Sequence, residues 1–104
     1  MMESYRGMLR LCQENGWQAV LVTPPYLAEY CLCFSEYSED YFTVLHEAMN
    51  RLGGAFDVPY LDYSRDSRYA VRYDLFKNIG HLNLEGAEAF DAQFFSDIQE
   101  LGLL

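Results

Sequence analysis

Imidazole is the side chain that most readily moves protons near neutral pH, and this sequence has two, His46 and His81. His81 stands in the run Asn78-Ile79-Gly80-His81-Leu82-Asn83-Leu84-Glu85-Gly86-Ala87. The run places an imidazole on a loop just ahead of a helix and after the last strand. Bases in α/β folds occupy such positions, because strand ends gather loops around a shared crevice. His46 falls mid-helix between Leu45 and Glu47 and reads as a surface or packing residue. Three cysteines, Cys12, Cys31 and Cys33, form no even framework and read as ordinary thiols rather than a disulfide scaffold. Cys31-Leu32-Cys33 offers two thiolates, but a tetrahedral metal site needs about four ligands and no second Cys or His pair is spaced for it. No metal is expected. Arg65, Arg68 and Arg72 could clamp an anion bidentately. They interleave with Asp62, Asp66 and Asp74, which favours a solvated charge network. Tyr26, Tyr30, Tyr37, Tyr41, Tyr60, Tyr63, Tyr69 and Tyr73 suit either a ligand pocket or a half-core and interface role.

Apolar spacing supplies the elements that must position these groups. Tyr5, Met8, Leu9 and Cys12 recur at helical intervals, so residues 3–14 read as an amphipathic helix, ended by Asn15-Gly16. Residues 18–23 are a short apolar run that suits a strand buried on both faces, stopped by Pro24-Pro25. Residues 26–37 read as a loop with a helical turn. Ser38-Glu39-Asp40 reads as a helix start, followed by the stripe Tyr41, Leu45, Ala48 and Leu52 and an end at Gly53-Gly54. Residues 58–63 read as a second strand with Pro59 at its start. Residues 64–80 read as a long loop. Ala87, Phe90, Phe94, Ile98 and Leu101 form the last helical stripe, a core face that also takes in Phe95, with Asn83 as its N-cap and Glu85 in the first turn.

The expected order is helix, strand, helix, strand, helix, with two parallel strands joined by a helix. The expected class is α/β, as one partial domain over residues 1–104. Two strands and three helices cannot bury a parallel sheet on both faces and both edges. A bare apolar edge invites pairing with another chain. The sequence thus reads as part of a larger sheet, completed by a missing N-terminal half or by a second copy.

At this point the sequence resembles a known family. Val20-Leu21-Val22-Thr23-Pro24-Pro25, Tyr60-Leu61-Asp62-Tyr63-Ser64 and His81-Leu82-Asn83 followed by Gly86-Ala87 resemble the C-terminal portion of the SGNH (GDSL-type) hydrolases. These are esterases and lipases with a three-layer, flavodoxin-like sheet, and the resemblance covers most of the chain. It implies ester hydrolysis through a serine acyl-enzyme, with an ester as substrate. The family's closing motif is Asp-x-x-His-Leu-Asn, so the resemblance makes His81 the general base. The orienting acid of the family falls at Asn78, an amide. In Ser-His-Asp triads that acid-to-amide exchange costs about 10⁴ in turnover. Asp74, Asp66 and Asp62 are the candidate substitute acids. The family's Gly-Asp-Ser nucleophile block and its oxyanion Gly and Asn are absent, so the chain alone is expected to be inactive.

Composition bounds the alternatives. The chain of 104 residues carries 7 Lys+Arg against 16 Asp+Glu, a net charge of −9, which argues against nucleic acid and anionic membranes. Apolar types are 51% and charged types 22%, so the chain is not compositionally disordered. No apolar run approaches the roughly 20 residues of a membrane-spanning helix. Without a leader at its N-terminus the chain as given is expected in the cytoplasm, although a parent protein could be exported. No phosphate loop is present, so no nucleotide cofactor is expected. Two non-hydrolytic readings stand beside the resemblance: a self-associating interaction module, and a small-ligand binder at the C-terminal strand ends using Pro24-Pro25-Tyr26 and residues 64–80.

Overall fold

The computed structural model of the chain describes residues 2–35 and 41–103. Helix α1, Met2–Glu14, turns its Leu9 stripe inward. Its end is a Schellman cap. Gly16 takes φ 66° and donates to Gln13 O at 3.2 Å, while Trp17 N donates to Cys12 O at 2.9 Å. The turn delivers the chain to strand β1, Leu21–Thr23. This strand is shorter than the expected run over residues 18–23, and it is not covered on both faces. Leu21 and Thr23 are buried, whereas Val22 is 37% exposed.

After Pro24-Pro25 the chain forms helix α2, Ala28–Ser35, where a loop with one turn was expected. The expected helix start at Ser38-Glu39-Asp40 lies outside the described residues, as does Tyr37. Helix α3, Tyr41–Phe56, buries Phe42, Met49, Leu52 and Gly53. It does not stop at Gly53-Gly54. A Cβ on Gly53 would stand 2.5 Å from Val58 O, so this glycine permits close passage of the following segment rather than ending the helix. The left-handed residue that ends α3 is Asp57, at φ 55°, and Val58 N donates back to Gly53 O at 2.8 Å.

Strand β2, Tyr60–Asp62, lies parallel to β1, with Leu21, Val22 and Thr23 opposite Tyr60, Leu61 and Asp62. Leu21 N donates to Pro59 O and Tyr63 N donates to Thr23 O, each at 2.9 Å. Peptide groups alternate sides along a strand, so the N–H and C=O of Val22 face away from β2. No described strand pairs with that edge. α1 and α3 meet over β1, where Leu9, Leu21, Met49 and Leu52 form one core cluster.

Residues 64–80 are more ordered than a loop. A 3-10 turn at Tyr73–Leu75 leads into strand β3, Phe76–Asn78, which pairs antiparallel with β4, His81–Leu82. The local sequence hides this hairpin because its strands are so short, and tertiary packing decides it. Leu75 and Phe76 join Leu27 and Tyr69 in a second core cluster, against which Leu82 and Phe90 pack.

Helix α4, Leu84–Glu100, starts as expected. Asn83 Oδ1 accepts from Gly86 N at 2.8 Å, and Glu85 lies in the first turn. Gly86 packs against the 3-10 turn, where an added Cβ would stand 2.0 Å from Leu75 O. Phe90 and Phe94 set their rings against Tyr63 at centroid distances of 4.9 and 6.5 Å. Two members of the expected core stripe are less covered: Phe95 is 53% exposed, and Leu101 lies past the helix end at 50%. The class is therefore α/β in the expected order, with α2 and a hairpin added. No helix among the described residues is long and apolar enough to cross a membrane.

Candidate functional site

His81 opens β4 at the tip of the β3–β4 hairpin, and it is exposed. The tip is tied to the segment just beyond β1: Leu27 N donates to Ile79 O at 3.3 Å. The ring of Tyr30 lies flush on Gly80, where an added Cβ would meet Tyr30 Cε2 at 2.7 Å. Glycine at this position therefore lets an aromatic wall close on the turn that carries the imidazole.

The residue beside the ring is Asn78. His81 Nδ1 lies 2.9 Å from Asn78 Oδ1, and the Gly80 amide donates to the same oxygen at 3.0 Å. No described residue bonds His81 Nε2. The three carboxylates considered as substitutes are engaged elsewhere. Asp62 bonds His46, Asp66 is held by Arg68, and Asp74 is held by Arg72. The Arg68 guanidinium grips both oxygens of Asp66, and that bond holds the Asp66 carboxyl below the usual range against the opposing effect of burial. Arg72 does the same for exposed Asp74. Of the expected charge network, two separate pairs form, Arg68–Asp66 and Arg72–Asp74, with Asp66 half-buried and Asp62 turned to His46. Arg65 Nη1 donates to Thr43 Oγ1 at 3.3 Å.

The second histidine is more than a packing residue. His46 Nδ1 lies 2.8 Å from Asp62 Oδ2, and Asn50 Nδ2 lies 2.8 Å from His46 Nε2. Asp62 closes β2, and its other oxygen accepts from Ser64 N at 2.9 Å. Burial raises the Asp62 carboxyl, but bonds from Ser64 and His46 outweigh it and leave the group below its ordinary value. The imidazole has a true carboxylate partner but no idle nitrogen. One signal for it was present in sequence: His46 and Asn50 are four apart on one helix face. The contact with Asp62 depends on the parallel register and has no local signature.

The tyrosines take several separate roles. Tyr26 stacks on Tyr30 at 4.5 Å and tilts against Phe42 at 5.5 Å, beside the hairpin tip. Burial, and then neighbouring Tyr30 and Tyr41, push the Tyr26 phenol up. Tyr60 and Thr23 share a hydrogen bond of 2.6 Å. Tyr63 and Tyr69 are core residues, and the Tyr63 hydroxyl donates to Asp97 on α4. Exposed Tyr73 donates to Glu29 at 2.8 Å.

Along the free edge of β1 runs an apolar groove of about 530 Å³, lined by Tyr5, Met8, Leu9, Val22, Tyr26 and Met49 among others. Among the described residues, no group of three His, Cys, Asp or Glu is placed to hold a metal. Cys31 Sγ points at Ser64 O at 3.4 Å, and the side chain of Cys33 lies outside the described residues.

Comparison with protein-family models, with curated proteins and with solved structures finds no match. The chemistry of the site therefore rests on its own geometry. That geometry offers an exposed imidazole with one nitrogen anchored and one unbonded. No described serine or threonine hydroxyl bonds it.

Proposed function

We propose that this chain supplies the general base, His81, of an SGNH-type (GDSL) serine ester hydrolase. The nucleophilic serine and the oxyanion donors would come from polypeptide beyond these 104 residues. The observation that carries the reading is the anchored Nδ1 of His81, with Nε2 bonded by no described residue on an exposed turn. A base must present a lone pair to the hydroxyl it deprotonates. His46 does not, because both of its nitrogens are bonded.

The reading implies a finer architecture, a three-layer flavodoxin-like sheet in which β1 and β2 are two of the strands. The unpaired edge of β1 and the apolar groove beside it support this, since parallel sheets are normally covered on both faces. In the completed site His81 would take the serine proton as the serine attacks an ester carbonyl. It would then return that proton to the leaving alcohol, and water would hydrolyse the acyl-enzyme.

The test is direct. The DNA upstream of Met1 is expected to hold an in-frame Gly-Asp-Ser block. The protein extended to include it is expected to hydrolyse p-nitrophenyl acetate, and His81→Ala is expected to abolish this. Hydrolysis by the 104-residue chain alone, lost with His81→Ala, would refute the need for a second part.

The same free edge favours a second reading, a non-catalytic module that pairs with a copy of itself. Light scattering separates the two: a monomer at micromolar concentration excludes self-pairing.

A further inference from the structure

Asn78 holds one oxygen between two groups, and the identity of one of them fixes the other. We infer that Asn78 is a positioning residue that keeps His81 in the Nδ1–H tautomer, and that the Gly80 amide stops the carboxamide from turning over. The inference rests on the reading of His81 as a general base.

The Gly80 N–H lies 3.0 Å from Asn78 Oδ1. A backbone N–H is always a donor, so the atom facing it must be the carbonyl oxygen. A reversed carboxamide would set its NH2 against that N–H, donor against donor. The same oxygen lies 2.9 Å from His81 Nδ1. Two acceptors do not bond, so Nδ1 carries the hydrogen. Neutral imidazole has only one, and Nε2 keeps its lone pair.

A carboxylate at this position could orient the ring with either oxygen. An amide can do so with only one, and here a main-chain donor selects it. The turn itself is held from two sides, by Leu27 N on the Ile79 carbonyl and by the Tyr30 ring on Gly80. The exchange of acid for amide at residue 78 thus keeps the orienting half of an aspartate's role. It gives up the half that steadies the imidazolium, because the amide carries no charge.

Ring-nitrogen NMR spectra of the full chain in alkaline solution test this without any substrate. An unprotonated ring nitrogen resonates far downfield of a protonated one, and Nε2 couples to both carbon-bound ring protons. His46→Gln removes one ring's signals and so assigns the other. The expected result is a downfield Nε2 for His81 in the wild-type chain and in Asn78→Asp. In Asn78→Ala the Nε2–H form is expected to become the major one. A wild-type His81 mainly in the Nε2–H form would overturn the inference, and so would an Asn78→Ala spectrum unchanged from wild type. Should Asn78→Ala fail to fold, the wild-type spectrum alone decides. Absence of ester hydrolysis in the extended protein would refute the base reading and leave the tautomer standing, so the two failures are distinguishable.

Discussion

Asp62 was a candidate partner for one histidine and serves the other. Its carboxylate joins the end of β2 to helix α3 through His46 and fixes the following turn through Ser64 N. Its folded pKa lies below the unfolded value of about 4, so the stabilisation is present above that pH and is lost as pH falls through the folded value. Asp62→Asn is expected to cost about 1.5–3 kcal/mol at neutral pH, the range for losing hydrogen bonds to a charged group. The variant should also lose less stability than wild type between neutral pH and about pH 3. Urea denaturation at both pH values checks this, and an equal acid loss in the two proteins would contradict it.

Among the elements, α4 makes the sharpest demand on a single residue. Gly86 passes so close to Leu75 O that an alanine must push the helix off the 3-10 turn. Gly86→Ala is expected to destabilise by about 1–3 kcal/mol, the usual cost of overpacking, although alanine is the better helix former. Thermal unfolding measures it, and a neutral or stabilising result would show that helix and turn are not locked. Several elements were legible in sequence for local reasons: the stripe and Asn15-Gly16 cap of α1, the Asn83 cap of α4, and the apolar run that became β1. What sequence missed depends on distant contacts. Gly53-Gly54 looks like a helix end until Val58 is seen to pass against Gly53. The β3–β4 hairpin has strands too short to show an alternating pattern, and its support comes from Leu27 and Phe90. The site was legible to the same degree. His81 and Asn78 are three residues apart, and only the family resemblance sets them side by side, with Asp74, Asp66 and Asp62 open as alternatives; the His46–Asp62 bond crosses from helix to strand and has no local sign.

At the scale of the whole molecule, the chain is flat. Its radius of gyration is 14.8 Å, against about 13 Å for a globular chain of this length, and its shortest extent is 19 Å. Met8 and Val22 remain exposed along the groove at the unpaired edge of β1. Val22→Pro removes the one N–H that faces away from β2 and leaves the β1–β2 ladder bonds in place. It is expected to abolish pairing with any further strand while the helical circular dichroism persists. Association of Val22→Pro equal to wild type, by light scattering or by mixing with the upstream segment, would rule out this edge as the seam.

An open strand edge also has a kinetic meaning. If the base rides on one polypeptide and the nucleophile on another, the working species forms by encounter. Well below the dissociation constant its concentration would then follow the product of two concentrations, and the total rate of hydrolysis would fall with the square of dilution. Joining the two pieces in one chain would replace that square law with a simple proportion.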